Sequence, residues 1–115
     1  MEKTINIAGK DVKMRVSARL PYEYRNLFGG DIIIEMQKME NTGTMSGDSM
    51  QMFEQLAWLM ARNAGEEVHA ELPAKEAVGA WLDGFDSMFA ILEAAPAITE
   101  LWVDGTQTTS VPRKK

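Results

Sequence analysis

A short alternation of apolar and polar residues near the start of the chain constrains the fold more than any other feature. Over residues 4–17 the apolar side chains recur at every second position, which places them on one face of two strands: Ile5, Ile7, Val12, Met14 and Val16. Between the strands, Ala8-Gly9-Lys10 offers a glycine that can adopt a positive φ. A lone hairpin is marginally stable. We therefore expect helices, or the sheet of another subunit, to cover its apolar face.

The residues after the hairpin show the spacing of helices. Pro21 suits a first helical turn, and a helix over Tyr22–Phe28 is expected to end before a pair of glycines. Asp31 is placed to cap a second short helix over Ile32–Met39. Residues 40–48 are predicted to form a flexible loop.

The second half of the chain predicts longer helices. Asp48 or Ser49 is expected to cap a helix that ends near Asn63-Ala64-Gly65, before an acidic linker. Pro73 is predicted to open the next helix. Two glycines weaken that helix, so that a break can occur near Asp86.

The last apolar stripe and the polar end of the chain set the domain boundaries. Pro96 is expected to kink or restart the final helix, and residues 105–115 are predicted to be a flexible, disordered tail, polar and then basic. The sequence thus predicts a single globular domain over residues 1–104, helical over 21–104. Its fold class is mainly α with an N-terminal β-hairpin (α+β), with about four to five helices.

Charge and composition narrow the classes of partner. The formal net charge of the 115 residues is −5, and subtracting the positive charges of Arg113, Lys114 and Lys115 leaves −8 on residues 1–104. Phosphates and anionic lipids repel an acidic body, so neither nucleic acid nor a membrane is expected as a partner. The chain has no cysteine, which excludes disulfides and thiolate sites. The sequence shows no signal-peptide pattern and no apolar stretch of membrane length, so a soluble protein is expected.

The sequence gives little support for a catalytic, metal or cofactor site. The single histidine, His69, lies in an acidic linker, where one imidazole among loop carboxylates is weak ligation. Asp83 and Asp86 share a face only if their helix is continuous, and helix capping explains them more simply. No glycine-rich turn of the phosphate-binding type is present. We therefore predict a chain that is not an enzyme and that needs no cofactor or metal.

Nine methionines in 115 residues is a high count, and methionine suits surfaces that adapt to partners. Interface energy concentrates in aromatic residues, so a tryptophan slightly off the main stripe of its helix is also a candidate. The predicted protein-binding residues are Met36, Met39, Met45, Met52 and Trp58. Packing in the core is the alternative for all five, and it is the favoured one for Trp58.

The order of these segments resembles a known family. After the hairpin come Leu20–Arg25, an acidic and Met-rich middle, Glu54–Ala61, Trp81–Asp86 and Ile91–Trp102. From about residue 4 to its end, the chain resembles the tail assembly chaperones encoded by long-tailed phages and prophages of Gram-positive bacteria. The segments that carry the resemblance are packing motifs and not catalytic ones.

The resemblance implies a chaperone that binds the tape measure protein, recruits the tail tube protein and forms a homo-oligomer. Such a protein acts in the host bacterial cytoplasm and is absent from the mature virion. Many members are also made in a longer form by a programmed ribosomal frameshift. Lys114-Lys115 is what a slippery run of adenines would encode, so the resemblance implies that these two residues mark the frameshift site. The partners then include the longer form of the chain itself.

Two other interpretations stay open. Another small phage morphogenesis protein, such as a head–tail connector or a tail completion factor, would share the size and oligomeric habit but remain in purified particles. A regulatory adaptor that binds a host protein would be a monomer or dimer and would have no frameshifted product.

Overall fold

The N-terminal alternation forms the predicted hairpin in the computed structural model, which describes residues 1–42 and 47–106, without the side chains of residues 39–42, 47, 48 and 106. Strands β1 (Glu2–Ile7) and β2 (Lys10–Arg15) pair antiparallel. The helices that follow in these ranges are α1 Arg19–Phe28, α2 Ile32–Thr42, α3 Gly47–Asn63, α4 Ala74–Leu82 and α5 Ala90–Thr106. This architecture confirms the predicted small α+β domain. Of the helices described, none is both long enough and apolar enough to cross a membrane.

The register of the hairpin buries all of its predicted apolar residues. Ile5 lies opposite Val12, and both side chains are almost fully buried. The turn residues Ala8 and Gly9 have φ angles of 52° and 87°. Positive φ at both central residues is the signature of a type I′ turn, whose twist matches that of the strands. The side chain of Asn6 supports the turn by accepting a hydrogen bond from the Gly9 N–H at 3.2 Å.

The two outer edges of the hairpin differ. Main-chain hydrogen bonds of 2.8 and 3.1 Å between Met1 and Val16 extend the ladder. Because hydrogen-bonded pairs alternate along an antiparallel ladder, they determine which main-chain N–H groups point away from the partner strand. On β2, the outward N–H of Lys13 donates to Glu66 Oε2 at 2.7 Å. On β1, the outward N–H of Thr4 has no hydrogen-bond partner within residues 1–42 and 47–106. The edge of β2 is therefore covered at its centre, and the edge of β1 is open.

Helix α3 lies at the centre of the domain. It contacts β2, α1, α2, α4 and α5, while α5 also contacts β1. Six consecutive residues of α3, Leu56–Ala61, are consequently buried, because neighbours cover the helix on every side. The Trp58 Nε1–H donates to the Val68 carbonyl at 2.8 Å, which fastens the linker after α3 to the helix.

Several predicted helix ends are confirmed. Asp31 caps α2, since its Oδ1 accepts hydrogen bonds from the N–H groups of Ile33 and Ile34 at 3.0 and 3.3 Å. Gly29 follows α1 with a φ of 84°, and its N–H donates to the Arg25 carbonyl. Helix α3 ends at Asn63, where the sequence placed its end.

Other predicted boundaries are wrong. Helix α2 runs past Met39 to Thr42. Helix α3 begins at Gly47, so Asp48 and Ser49 lie inside its first turn and do not precede it. Polar residues at helix ends carry no periodic apolar signal, and helix limits are therefore harder to locate than helix centres.

The C-terminal apolar stripe is divided between two helices. Helix α4 ends at Leu82 and α5 begins at Ala90, so the predicted weak point extends over residues 83–89. The predicted restart at Pro96 is wrong, because α5 continues through it. Pro96 lacks the main-chain N–H that the Leu92 carbonyl would otherwise accept in the helix.

The sequence-based prediction placed the start of the tail too early, at residue 105. Gly105 and Thr106 are the last residues of α5 and do not belong to a separate tail. Gly105 approaches the hairpin so closely that an added Cβ would overlap the side chain of Val16. A side chain at this position would push the helix off the sheet. Residues 107–115, the remainder of the predicted tail, lie outside the described residues.

A pair of glycine substitutions tests this close approach. Gly105→Ala is expected to lower the free energy of unfolding by about 1–3 kcal/mol, because the new methyl group overlaps Val16. Gly79→Ala in α4 is the matched control: nothing lies within 4 Å of its added Cβ, so the higher helix propensity should stabilise by up to about 1 kcal/mol. Urea unfolding of both variants measures the difference. Equal stabilisation by both would contradict the packing of α5 on Val16.

Candidate protein-binding site

Three of the predicted binding residues are core residues. Met36, Met52 and Trp58 are 1%, 5% and 2% exposed. Both Met52 and Trp58 belong to α3, and Trp58 lies in its central turns, where neighbouring elements bury six consecutive residues. A position off the main stripe is therefore not an exposed one. The Arg62 guanidinium lies over the Trp58 ring, 5.5 Å from its centroid. The prediction that these three side chains form a binding surface is therefore corrected.

The remaining predicted residues fall outside the part of the chain that the structure describes. They are the side chain of Met39, which belongs to α2, and residues Met45, Lys114 and Lys115. Their assignment to partner binding and to a frameshift site stays a prediction.

The acidic linker forms turns. His69 has a φ of 58°, its N–H donates to Glu67 Oε1 at 2.7 Å, and its Nδ1 lies 3.9 Å from a Glu71 carboxylate oxygen. Asp83 ends α4 and Asp86 follows in the next segment, so the two do not share a helix face. Among the described residues, no group of three or more His, Asp or Glu side chains could hold a metal ion.

An apolar groove opens where the chain passes from α4 to α5. It is a cavity of about 220 Å³ between the first half of α3 and residues 82–92. Its apolar lining consists of Met50, Leu82, Phe85, Met88, Ile91 and Leu92. At the rim, Met88 is 87% exposed and the neighbouring Phe89 is 52% exposed. Two large apolar side chains thus project into solvent beside an apolar cavity.

The break between α4 and α5 creates this groove. The spacing of Trp81, Phe85 and Phe89 fits one apolar stripe, and the structure divides it at the break that the sequence allowed near Asp86. Trp81 stays buried with Phe85 packed edge-on at 5.1 Å between ring centroids. Phe89 directly precedes the start of α5, and its N–H donates to Ser87 Oγ at 3.1 Å. Ser87, a residue that favours helix N-termini, is the sequence signal that could have located the break.

The polar part of the groove is acidic. Glu54 and Asp86 line it beside the apolar side chains. Burial raises the pKa of the Glu54 carboxyl, and in the described part of the chain no cation forms an ion pair with it. A partially desolvated carboxylate without a counter-ion favours a partner that brings a positive charge or an N–H donor.

A second set of exposed apolar side chains lies on α1 and α2. Tyr22, Ile33 and Ile34 are 56%, 45% and 48% exposed. Their neighbour Tyr24 is buried and donates from its hydroxyl to Gln55 Oε1 at 2.9 Å. Burial, and to a lesser degree the charge of Glu35, raises the pKa of Tyr24 to about 12. These exposed side chains of α1 and α2 offer a control for binding experiments on the groove.

Comparisons with protein-family models, with curated proteins and with solved structures find no match to this chain. The resemblance of its sequence to tail assembly chaperones therefore stays a prediction.

Replacing Glu54 with glutamine is expected to stabilise the folded chain at neutral pH. Because burial raises the pKa of Glu54, its ionised form destabilises the folded state above the folded pKa. Below the unfolded pKa the carboxyl is protonated in both states and the penalty vanishes. The Tm of E54Q should thus exceed that of the native chain at neutral pH, and the two values should be equal at about pH 3. Glu71→Gln, at a side chain that is 71% exposed, is the control. A gain that persists in acid would contradict this explanation.

Proposed function

We propose that this chain is a tail assembly chaperone of a long-tailed phage or prophage, a non-catalytic protein that binds helical apolar segments of the tape measure protein. The observation that supports the proposal is the groove between α3 and α5, with Met88 exposed in its lining and Phe89 exposed next to Met88 in the chain. Exposed apolar surface with polar neighbours marks protein interaction sites.

The size of the groove favours side chains over a small substrate. Its volume of about 220 Å³ is below the roughly 300–1,000 Å³ of small-molecule sites. One or two anchor residues of an amphipathic helix would fill it, as in other helix-in-groove complexes. Met50 and Met88 in the lining are flexible, which suits a surface that must accept successive segments of one long partner.

Charge defines the partner further. Glu54 and Asp86 lie beside the apolar lining, so a bound segment would gain from a lysine or arginine next to its apolar anchors. The charge of −8 on residues 1–104 repels other copies of the loaded complex and opposes aggregation of the apolar partner.

The remaining parts of the proposal rest on the sequence resemblance. The chain would also recruit the tail tube protein, form a homo-oligomer and associate with its longer frameshifted form. It would act in the host bacterial cytoplasm and leave the assembly before the virion matures.

Co-expression with the tape measure protein tests the role of the groove. The native chain is expected to keep the tape measure protein soluble. The double variant Met88→Ser/Phe89→Ser should weaken binding by at least about tenfold, because two exposed apolar anchors are lost. The double variant Ile33→Ser/Ile34→Ser removes exposed apolar surface from α2 and should leave binding unchanged. Pull-down and sedimentation of the tape measure protein give both measurements.

Two outcomes would contradict the proposal in different ways. If the tape measure protein is equally soluble without this chain, the chaperone function is wrong. If both double variants bind equally poorly, the function stands but the groove is not its site. Finding this chain in purified phage particles would instead favour a connector or tail completion protein.

The gene provides an independent prediction. Across the codons for residues 112–115 we expect a slippery, adenine-rich sequence over Lys114-Lys115. An overlapping reading frame and a very long gene should follow. Two ordinary lysine codons without an overlapping frame would remove the frameshifted form from the proposal and favour the adaptor interpretation.

A further inference from the structure

The open edge of β1 carries a row of main-chain groups that the hairpin does not use. The alternation of the antiparallel ladder turns the N–H and C=O groups of Glu2, Thr4 and Asn6 away from β2. All three residues are exposed. Within residues 1–42 and 47–106, their main-chain N–H groups donate no hydrogen bond. A strand edge in this condition is a template for pairing with another strand.

A second copy of the chain offers a strand that fits this edge. On β2 the central outward N–H, that of Lys13, already donates to Glu66, so the open strand edge of the second copy is again β1. Two β1 edges can meet antiparallel about a two-fold axis, where each copy supplies both donors and acceptors to the other. The hairpin, which is marginal as a two-stranded sheet, becomes one half of a four-stranded sheet.

We propose that two copies of this chain pair through their β1 edges, with Thr4 on the two-fold axis. Thr4 then lies opposite Thr4 of the second copy, and the N–H of each donates to the carbonyl of the other. Glu2 and Asn6 lie opposite Asn6 and Glu2 of the second copy. All the outward main-chain groups of β1 are paired in this register. The inference specifies the contact within the homo-oligomer of the proposed function, and it rests on that function only for the expectation of self-association.

The side chains on the outer face of the hairpin fit this register. Two threonines face each other across the axis, a pairing that stabilises antiparallel sheets. On either side of them, the Glu2 carboxylate faces the side-chain amide of Asn6. Asn6 Nδ2 donates to Asp11 Oδ1 at 3.2 Å, and its second hydrogen is available to that carboxylate.

The neighbouring registers are less favourable. An axis at Lys3 places two lysines directly opposite each other, and like charges in that position destabilise a sheet. An axis at Ile5 places Glu2 opposite Ala8, which belongs to the turn and not to the strand. The axis at Thr4 avoids both defects and pairs the full length of β1.

Lys3 is the residue that works against such a contact, because an inward-pointing charge on an edge strand hinders pairing. Its Nζ lies 3.3 Å from Asp104 Oδ2 and 3.6 Å from Glu100 Oε1, both on α5. These two carboxylates balance the lysine charge and hold the ammonium on the helix. The aliphatic stem of Lys3 is left to face Ile5 of the second copy.

Opposite charges at Thr4 test the position of the axis. Thr4 is exposed, so Thr4→Lys and Thr4→Glu alter the surface and leave the core intact. A residue on the axis faces its own copy, so each variant alone opposes like charges, and its dimer dissociation constant should rise by at least about threefold. An equal mixture of the two should form heterodimers at least as stable as the native dimer. Sedimentation equilibrium measures these constants.

The matched control for net charge is at an exposed position of α2. Gln37→Lys and Gln37→Glu make the same changes in charge far from β1 in the chain. The dissociation constants of these variants, and of their mixture, are expected to equal that of the native chain.

Thr4→Pro tests the main-chain bonds of the edge. Proline is tolerated on an edge strand where its N–H would face solvent, and the hairpin ladder does not use the N–H of Thr4. The dissociation constant should rise by at least about tenfold, because the donors on the axis are lost. Thr4→Val keeps the N–H and should dimerise like the native chain. Circular dichroism confirms folding, and the charge variants decide alone if Thr4→Pro does not fold.

Amide hydrogen exchange at high and low protein concentration locates the contact. The N–H groups of Thr4 and Asn6 should exchange more slowly in the dimer than in the monomer. The N–H of Asp11, which points outward on β2, should exchange at the same rate in both.

Four results would overturn the proposal. These are a monomer at millimolar concentration, equal effects of the charge variants at Thr4 and Gln37, an oligomer that Thr4→Pro folds into unchanged, and slow exchange of the Thr4 N–H in the monomer. The last would show that another segment of the same chain occupies the edge. All measurements use this chain alone, so failure of the dimer and failure of the chaperone function are separate outcomes.

Discussion

Helix α3 is covered by β2 on one side and by α1, α2, α4 and α5 on the others, and this packing holds the remaining elements in place. Each large apolar side chain buried in this way contributes roughly 1.5–3 kcal/mol, so its central turns dominate the stability of the domain. The hairpin depends on them too, because two strands without a covered face are marginal. The groove adjoins the first half of α3.

The sequence predicted those parts of the fold where one side of an element is covered and the other is exposed. The hairpin is the best example, since Ile5 and Val12 alternate with polar residues that face solvent. The helix ends at Gly29 and Asp31 could also be predicted, because these residue types favour such positions. Helix limits that depend on tertiary contacts could not be predicted. Gly105 resembles a helix terminator until its approach to Val16 is known.

The binding residues were harder to predict than the fold because burial is a property of the assembled domain. Met52 and Trp58 are buried by elements that are distant in sequence, and no periodicity within one segment reveals that burial. The reverse error concerns Phe89, whose spacing fits a core stripe although the chain changes direction before it. Arg15 and Arg62 are distant in sequence, and only the fold brings them close together at the end of α3.

The contact between Glu66 and the N–H of Lys13 has a consequence for how copies of this chain can associate. Head-to-tail stacking of hairpins would join β1 of one copy to β2 of the next, and such a contact repeats without limit into a filament. With β2 covered at its centre, that route is closed. Only the edge of β1 stays available, and a contact between two identical edges uses both of them at once. Assembly through the hairpin edges is therefore self-terminating, which protects a small protein with an exposed strand from fibrous aggregation.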